Sequence, residues 1–304
     1  MIRSSIGNAE FWQKWTEFSR ESIKRDLDLL QRPSQNPVYE PQFVWDIAIE
    51  YRRLMLRRYS RGDHVSELGQ YFPGLLDAWE LSNRLADEVC RTHNLKTCRD
   101  WTFKLSNLNH YNWCFCLVGL ALSLEMPEMQ WRRLVALIGG EGEDELLDRV
   151  IASREPGRRI GSALLHPKPY MRLLKAIDAP HDQQAILLRE FVDHWYPELE
   201  RKGKERLWWY DFGDPVRHPL EKGSYFGRWC IEAVAVVKAF GIDDSLCLDS
   251  PYYPGDLVQD GRSPRYAEPA LPPPPDMGAV EFGQGRKPLF GDLLSRVLFG
   301  SRRR

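Results

Sequence analysis

At 304 residues, 43% of them hydrophobic and 28% charged, the chain is long enough to bury one large core or two medium ones without disulfide staples. A net charge of −1 makes no case for direct nucleic-acid binding. The longest apolar run, Trp113 to Leu124, is about 12 residues, short of the roughly 20 that a membrane span needs. Met1 to Glu10 has neither an apolar core nor a small-residue cleavage site, so a cytoplasmic protein is expected.

Helix follows helix along the chain. Asn8 is placed to cap a first helix carrying Phe11, Trp15, Phe18, Ile23, Leu27 and Leu30 at spacings of three to five, which stops before Pro33. A second helix is expected from Gln42 to Arg61. Its inward face is Phe43, Ile47, Tyr51, Leu54 and Met55, with Arg52, Arg53, Arg57 and Arg58 outward, and Gly62 ends it. Asp63 caps a short helix interrupted at Pro73, and a further helix reaches Arg91. Lys104 to Glu125 is apolar on nearly all sides and reads as the central helix.

Beyond Pro127 the pattern predicts helices over Glu128–Ile138, Glu143–Ser153, Pro169–Ile177, His181–Glu200 and Tyr225–Phe240. Alternating β-branched runs are missing, so the fold class is all-α, with two helical subdomains that share or abut one core. The expected boundaries are an N-terminal helical domain over 1–126 and a C-terminal one over 127–260. A Pro-rich linker over 261–286, with Pro272 to Pro275 in extended geometry, leads to an amphipathic basic tail helix over 287–304. Leu289, Phe290, Leu293, Leu294, Val297 and Leu298 give that tail an apolar face. It either folds back on its own chain or docks a partner or a second copy.

Constellations for catalysis are poorly represented. The seven histidines show neither a metal-binding i, i+4 pair around a glutamate nor a cysteine partner at zinc spacing, so no metal and no cofactor are expected. The six cysteines suggest no disulfide framework and read as buried thiols. Residues 111–260 hold 24 Asp and Glu against 18 Lys and Arg, whereas 1–110 are balanced at 15 against 16. Within this acidic part, Glu141, Glu143, Asp144 and Glu145 cluster at a helix start, where they offset the macrodipole or meet a basic partner.

The stretch from Leu207 to Leu257 is the most informative. Trp208 and Trp209 open it, and a helix follows in which Gly227 permits close approach. Trp229 and Ala233 share one face, and Glu232 lies partly buried with tyrosine hydroxyls as candidate partners. Gly241 ends that helix, and Asp243 or Asp244 caps the next turn.

This stretch resembles the C-terminal domain of the PoNi-type immunity proteins, which protect bacteria from secreted polymorphic nuclease toxins, often delivered by type VI secretion. The resemblance rests on Tyr225, Gly227, Trp229 and Glu232, on Gly241-Ile242-Asp243-Asp244, and on Tyr253-Pro254 with Asp256-Leu257. Gly255 and Arg228 stand where bulkier aromatic residues are expected. The helical N-terminal half resembles the companion domain, so the likeness spans roughly 8–260.

The resemblance implies a non-enzymatic antitoxin that binds its cognate toxin and blocks its active site or substrate approach. Trp208, Trp209, Tyr225, Gly227, Trp229, Glu232, Tyr253, Pro254 and Asp256 are expected to define the fold. Glu141, Glu143, Asp144 and Glu145, then Asp243 and Asp244, are expected to meet the toxin. Two other functions stay open: a helical adaptor working through its tail, and a hydrolase using a buried carboxylate such as Glu232.

Overall fold

The computed structural model describes residues 2–99 and 102–266, and its regular structure there is helical, with no β-strand beyond one isolated antiparallel bridge between Ile2 and Tyr266. The chain is all-α. Helix α1 (Ala9–Leu29) begins where the Asn8 side chain accepts the Phe11 N–H at 2.8 Å. Helix α2 (Glu40–Arg61) has Pro41 in its first turn and stops at Gly62, whose φ of 103° suits a residue without a Cβ. Helix α3 (Phe72–Thr92) follows two 3-10 turns, and α1, α2 and α3 pack in sequence order.

Helix α4 (Leu108–Ser123) is apolar all round, and residues 108–121 are buried but for Asn109. The helices that follow are α5 (Glu128–Ile138), α6 (Glu145–Ala152), α7 (Pro167–Asp178), α8 (His181–Glu198), α9 (Trp208–Phe212) and α10 (Ile231–Phe240). α7 and α8 form a hairpin, and α10 lies against α4. Gly119 permits that approach: a Cβ there would stand 2.8 Å from the Ile231 carbonyl oxygen. Fully buried side chains such as Leu117, Val118, Val234 and Val236 meet at this centre, each worth about 1.5–3 kcal/mol. One core runs from Ile23 to Leu257, so it passes through position 126/127 without a break.

Three expectations change. Arg52, Arg57 and Arg58 do not face outward but are buried. The Arg52 guanidinium lies 4.6 Å over the Trp113 ring, Arg57 pairs with Glu50 at 2.6 Å and donates to the Gly223 carbonyl at 2.8 Å, and Arg58 pairs with Asp63 and Glu67. Residues 261–266 are not linker: Arg262, Ser263 and Arg265 bond to buried carboxylates of the body. The rest of the Pro-rich segment and the tail helix lie outside the described residues.

The third change concerns the last helix, which starts at Ile231 rather than Tyr225. Residues 223–230 approach it without regular structure, because Gly227 holds φ at 107°. A Cβ at Gly227 would come within 2.2 Å of Trp229 Nε1 and 2.5 Å of Ser60 Oγ. Gly227→Ala is therefore expected to cost more than about 1 kcal/mol, read as a lower urea midpoint at unchanged slope. An unchanged midpoint would mean that this turn adapts freely.

Candidate functional site

Two carboxylates expected to meet a partner are occupied inside the molecule. Asp144 is 1% exposed and caps α6: its Oδ1 accepts the Leu147 N–H at 2.8 Å and the Tyr111 hydroxyl at 2.9 Å, and its Oδ2 accepts the Leu165 N–H at 2.8 Å. Asp244 is 3% exposed, accepting the Tyr253 hydroxyl at 2.6 Å and pairing with Arg262 at 2.5 Å. Neither is available to a partner. The physical reason is that buried N–H and O–H donors, from the helix start itself and from segments far along the chain, need acceptors, and these carboxylates supply them.

The remaining acids are presented differently. Glu141 is exposed, and its Oε1 accepts the Arg159 N–H at 2.7 Å; Glu143 is also exposed. Glu145 is half-buried, with Arg149 at 3.5 Å. Asp243 is exposed and binds Ser245 through both oxygens at 2.9 Å, contacts that hold its carboxyl below the usual range. Asp148, which the spacing did not single out, is the other buried acid of this region. It pairs with Arg158 at 2.6 Å and accepts the Gly142 and Gly161 N–H groups.

Most of the aromatic and acidic motif tethers the C-terminal segment to the end of α2 and to the N-terminal residues. Trp229 Nε1 donates to Ser60 Oγ at 2.8 Å and meets the Tyr59 ring edge-on at 5.0 Å. Tyr225 and Ser4 share a hydroxyl contact at 3.2 Å. Tyr253 and Asp256 are buried, with Pro254 between them also buried. Trp209 is half-buried and stacks on Trp195 at 5.8 Å. Trp208 departs from the pattern: it is 62% exposed, stacked on Phe212 at 5.0 Å, and defines no core.

Glu232 is 1% exposed on α10. Its Oε1 accepts Asn112 Nδ2 at 2.6 Å and the Tyr170 hydroxyl at 3.0 Å, so a tyrosine hydroxyl does meet it. Burial pushes this carboxyl up to about 7. The adjoining cavity, lined by Arg52, Asn112, Cys116, Trp195 and Trp209 among others, measures about 20 Å³. That admits about one water, whereas small-molecule sites run to hundreds of Å³. A hydrolytic site at Glu232 therefore has no room for a substrate. Among the described residues, no group of three or more His, Cys, Asp or Glu converges as a metal site, and no helix is long and apolar enough to cross a membrane.

Comparison with known families gives two matches that together span most of the chain. Residues 3–136 match the family described as PoNe immunity protein (PoNi), N-terminal, and residues 142–257 match PoNe immunity proteins (PoNi), C-terminal. Among solved structures, the chain is similar to protein PA2201 from Pseudomonas aeruginosa, at 19% identity and a TM-score of 0.63. The alignment covers 86% of this chain and 90% of that one, a likeness of fold. No curated protein matches.

Proposed function

The chain belongs to the PoNe immunity proteins, a nuclease-immunity family, and from that premise we propose that it protects its own cell by binding the nuclease domain of a secreted PoNe toxin. The complex forms in the cytoplasm, with the toxin arriving by type VI secretion, and the antitoxin covers the nuclease active site or the approach of its substrate. The observation that carries this reading is the match to both family domains, in order, over residues 3–257. Two features support occlusion over catalysis. The deepest carboxylates are bonded internally, and the cavity beside Glu232 is too small for a substrate. The acidic excess of residues 111–260 suits a partner whose surface is basic because it grips phosphates.

The test is co-expression of a PoNe nuclease domain encoded beside this chain, with and without it, scoring survival and then co-purification. Survival with a stable complex is expected. A complex in which the nuclease keeps full activity would refute occlusion. A chain ending at Tyr266 should still protect, because the bonds of Arg262, Ser263 and Arg265 are retained. Loss of protection in that truncation would shift the work to residues 267–304 and favour an adaptor-like use of the tail.

A further inference from the structure

Helix α8 turns one face into the core through Leu188, Phe191, Val192 and Trp195. Its opposite face carries Ile186, which is 62% exposed. The 3-10 turn Ser245–Cys247 packs beside α8 and presents Leu246, 48% exposed. Arg189, three residues beyond Ile186 on the helix, joins the two elements. Its guanidinium donates to the Leu246 carbonyl at 2.5 Å, pairs with Asp193 at 2.7 Å and also pairs with Asp249. Ile186 and Leu246 therefore stand on two elements joined by an arginine whose charge is already matched.

Around this pair the surface is acidic. Asp182 lies one turn before Ile186 and is exposed, as are Asp193, Asp243 and Asp249. Glu190, one turn after Ile186, pairs with Arg172. Besides the Ser245 bonds, Arg262 and, less, His181 approach Asp243 closely enough to help hold its carboxyl down. Two other exposed apolar side chains lack this setting. Trp208 has the Arg206 guanidinium 5.9 Å over its ring, and Met129 stands on α5 among Glu128 and the Arg132 that pairs with it.

An apolar centre with a charged rim is the arrangement of a specific protein interface, in which the centre holds the complex and the rim steers its approach. We propose that the Ile186–Leu246 surface, with Asp182, Asp193, Asp243 and Asp249 as its rim, is where this chain docks on the basic, phosphate-gripping face of the nuclease. This rests on the immunity reading and goes beyond it by naming the surface. The charge match selects that occupant: a nuclease must present cations to a phosphate backbone, and the same cations meet these carboxylates. Docking there covers the cleft that nucleic acid would enter.

The experiment titrates the intact chain against a catalytically inactive PoNe nuclease domain that it has been shown to neutralise. Ile186→Arg with Leu246→Arg is expected to weaken binding by at least about 30-fold, as loss of interface anchors does, at unchanged melting temperature. Should the arginines disturb folding, Ile186→Ser with Leu246→Ser replaces them. Asp182→Lys with Asp243→Asn is expected to slow association and flatten its salt dependence, with a smaller effect on dissociation. Met129→Ser and Trp208→Ala should bind as the parent does. Parental binding by the Ile186/Leu246 variants, or loss confined to the Trp208 or Met129 variants, overturns this surface while leaving the immunity reading intact. A parent chain that protects cells yet forms no complex with the nuclease domain overturns both.

Discussion

Asp256→Ala is expected to lower stability by about 3–5 kcal/mol, seen as a melting temperature roughly 10 °C lower. The carboxylate has no exposed side-chain surface and is paired with Arg3 and, at 2.6 Å, with Arg265; it also accepts the Ser263 N–H at 2.6 Å. Arg3 in turn donates to the carbonyls of Tyr59 and Asp63 and lies 4.6 Å over the Tyr59 ring. One carboxylate therefore joins the first residues, the end of α2 and the last described segment. Its removal leaves a guanidinium that is 2% exposed with only the half-exposed Asp260 carboxylate, 3.8 Å away, as counter-charge, and that poorly compensated charge dominates the cost.

The size of the loss separates two ideas about this pair. If the cost is mainly the stranded charge, the double variant Arg3→Met with Asp256→Leu should lose clearly less than Asp256→Ala alone. Equal losses would assign the energy to the directional bonds instead. The pH dependence has a definite sign. Burial raises the Asp256 carboxyl, but Ser263, Arg3 and Arg265 together more than offset it and hold it below its ordinary 3.8. Its contribution is thus present above about pH 4 and disappears as pH falls through the folded-state value.

Glu232 should behave in the opposite way. Burial lifts its carboxyl from an ordinary 4.5 to about 7, so between these limits the folded protein binds more protons than the unfolded chain. Stability is then expected to fall as pH rises from about 4.5 to about 7. At about 1.4 kcal/mol per pKa unit the total is about 3 kcal/mol. Glu232→Gln keeps a carbonyl oxygen able to accept Asn112 and Tyr170 but cannot ionise. The variant should gain on the parent as pH rises, and urea midpoints of both proteins at pH 5 and pH 8 measure the difference directly. A constant gap between the two proteins would show that Glu232 ionises in the folded state as easily as in water. Because every other titrating group is shared, the comparison isolates this one carboxyl.

Much of the architecture was legible from local signals. Asn8, Gly62 and Gly241 act at helix ends through a cap or a left-handed turn, and all three stand at the ends of their helices. The run around Trp113 to Leu120 has no polar face, and burial on all sides is the state in which such a helix is stable. The motif of Tyr225, Gly227, Trp229, Glu232, Tyr253 and Asp256 was readable as a set, but its placement was not. Periodicity continued the last helix back to Tyr225, whereas the contact between Trp229 and Ser60, 169 positions apart, and the positive φ at Gly227 keep residues 223–230 out of it.

The acidic residues show where sequence stops informing. Glu143 and Asp144 are neighbours of one charge type, yet Glu143 is exposed and Asp144 answers Tyr111, Leu147 and Leu165. Asp243 and Asp244 divide the same way, as do the buried Arg57 and the more exposed Arg53 on α2. Helix class and the helix ends at Asn8, Gly62 and Gly241 follow from interactions within a few residues, so the sequence by itself determines them. Which charges turn inward, and the joining by one arginine of the elements that carry Ile186 and Leu246, depend on donors and elements brought together from far along the chain. Only the tertiary structure decides those, because a buried charge is stable only where a distant partner compensates its loss of water.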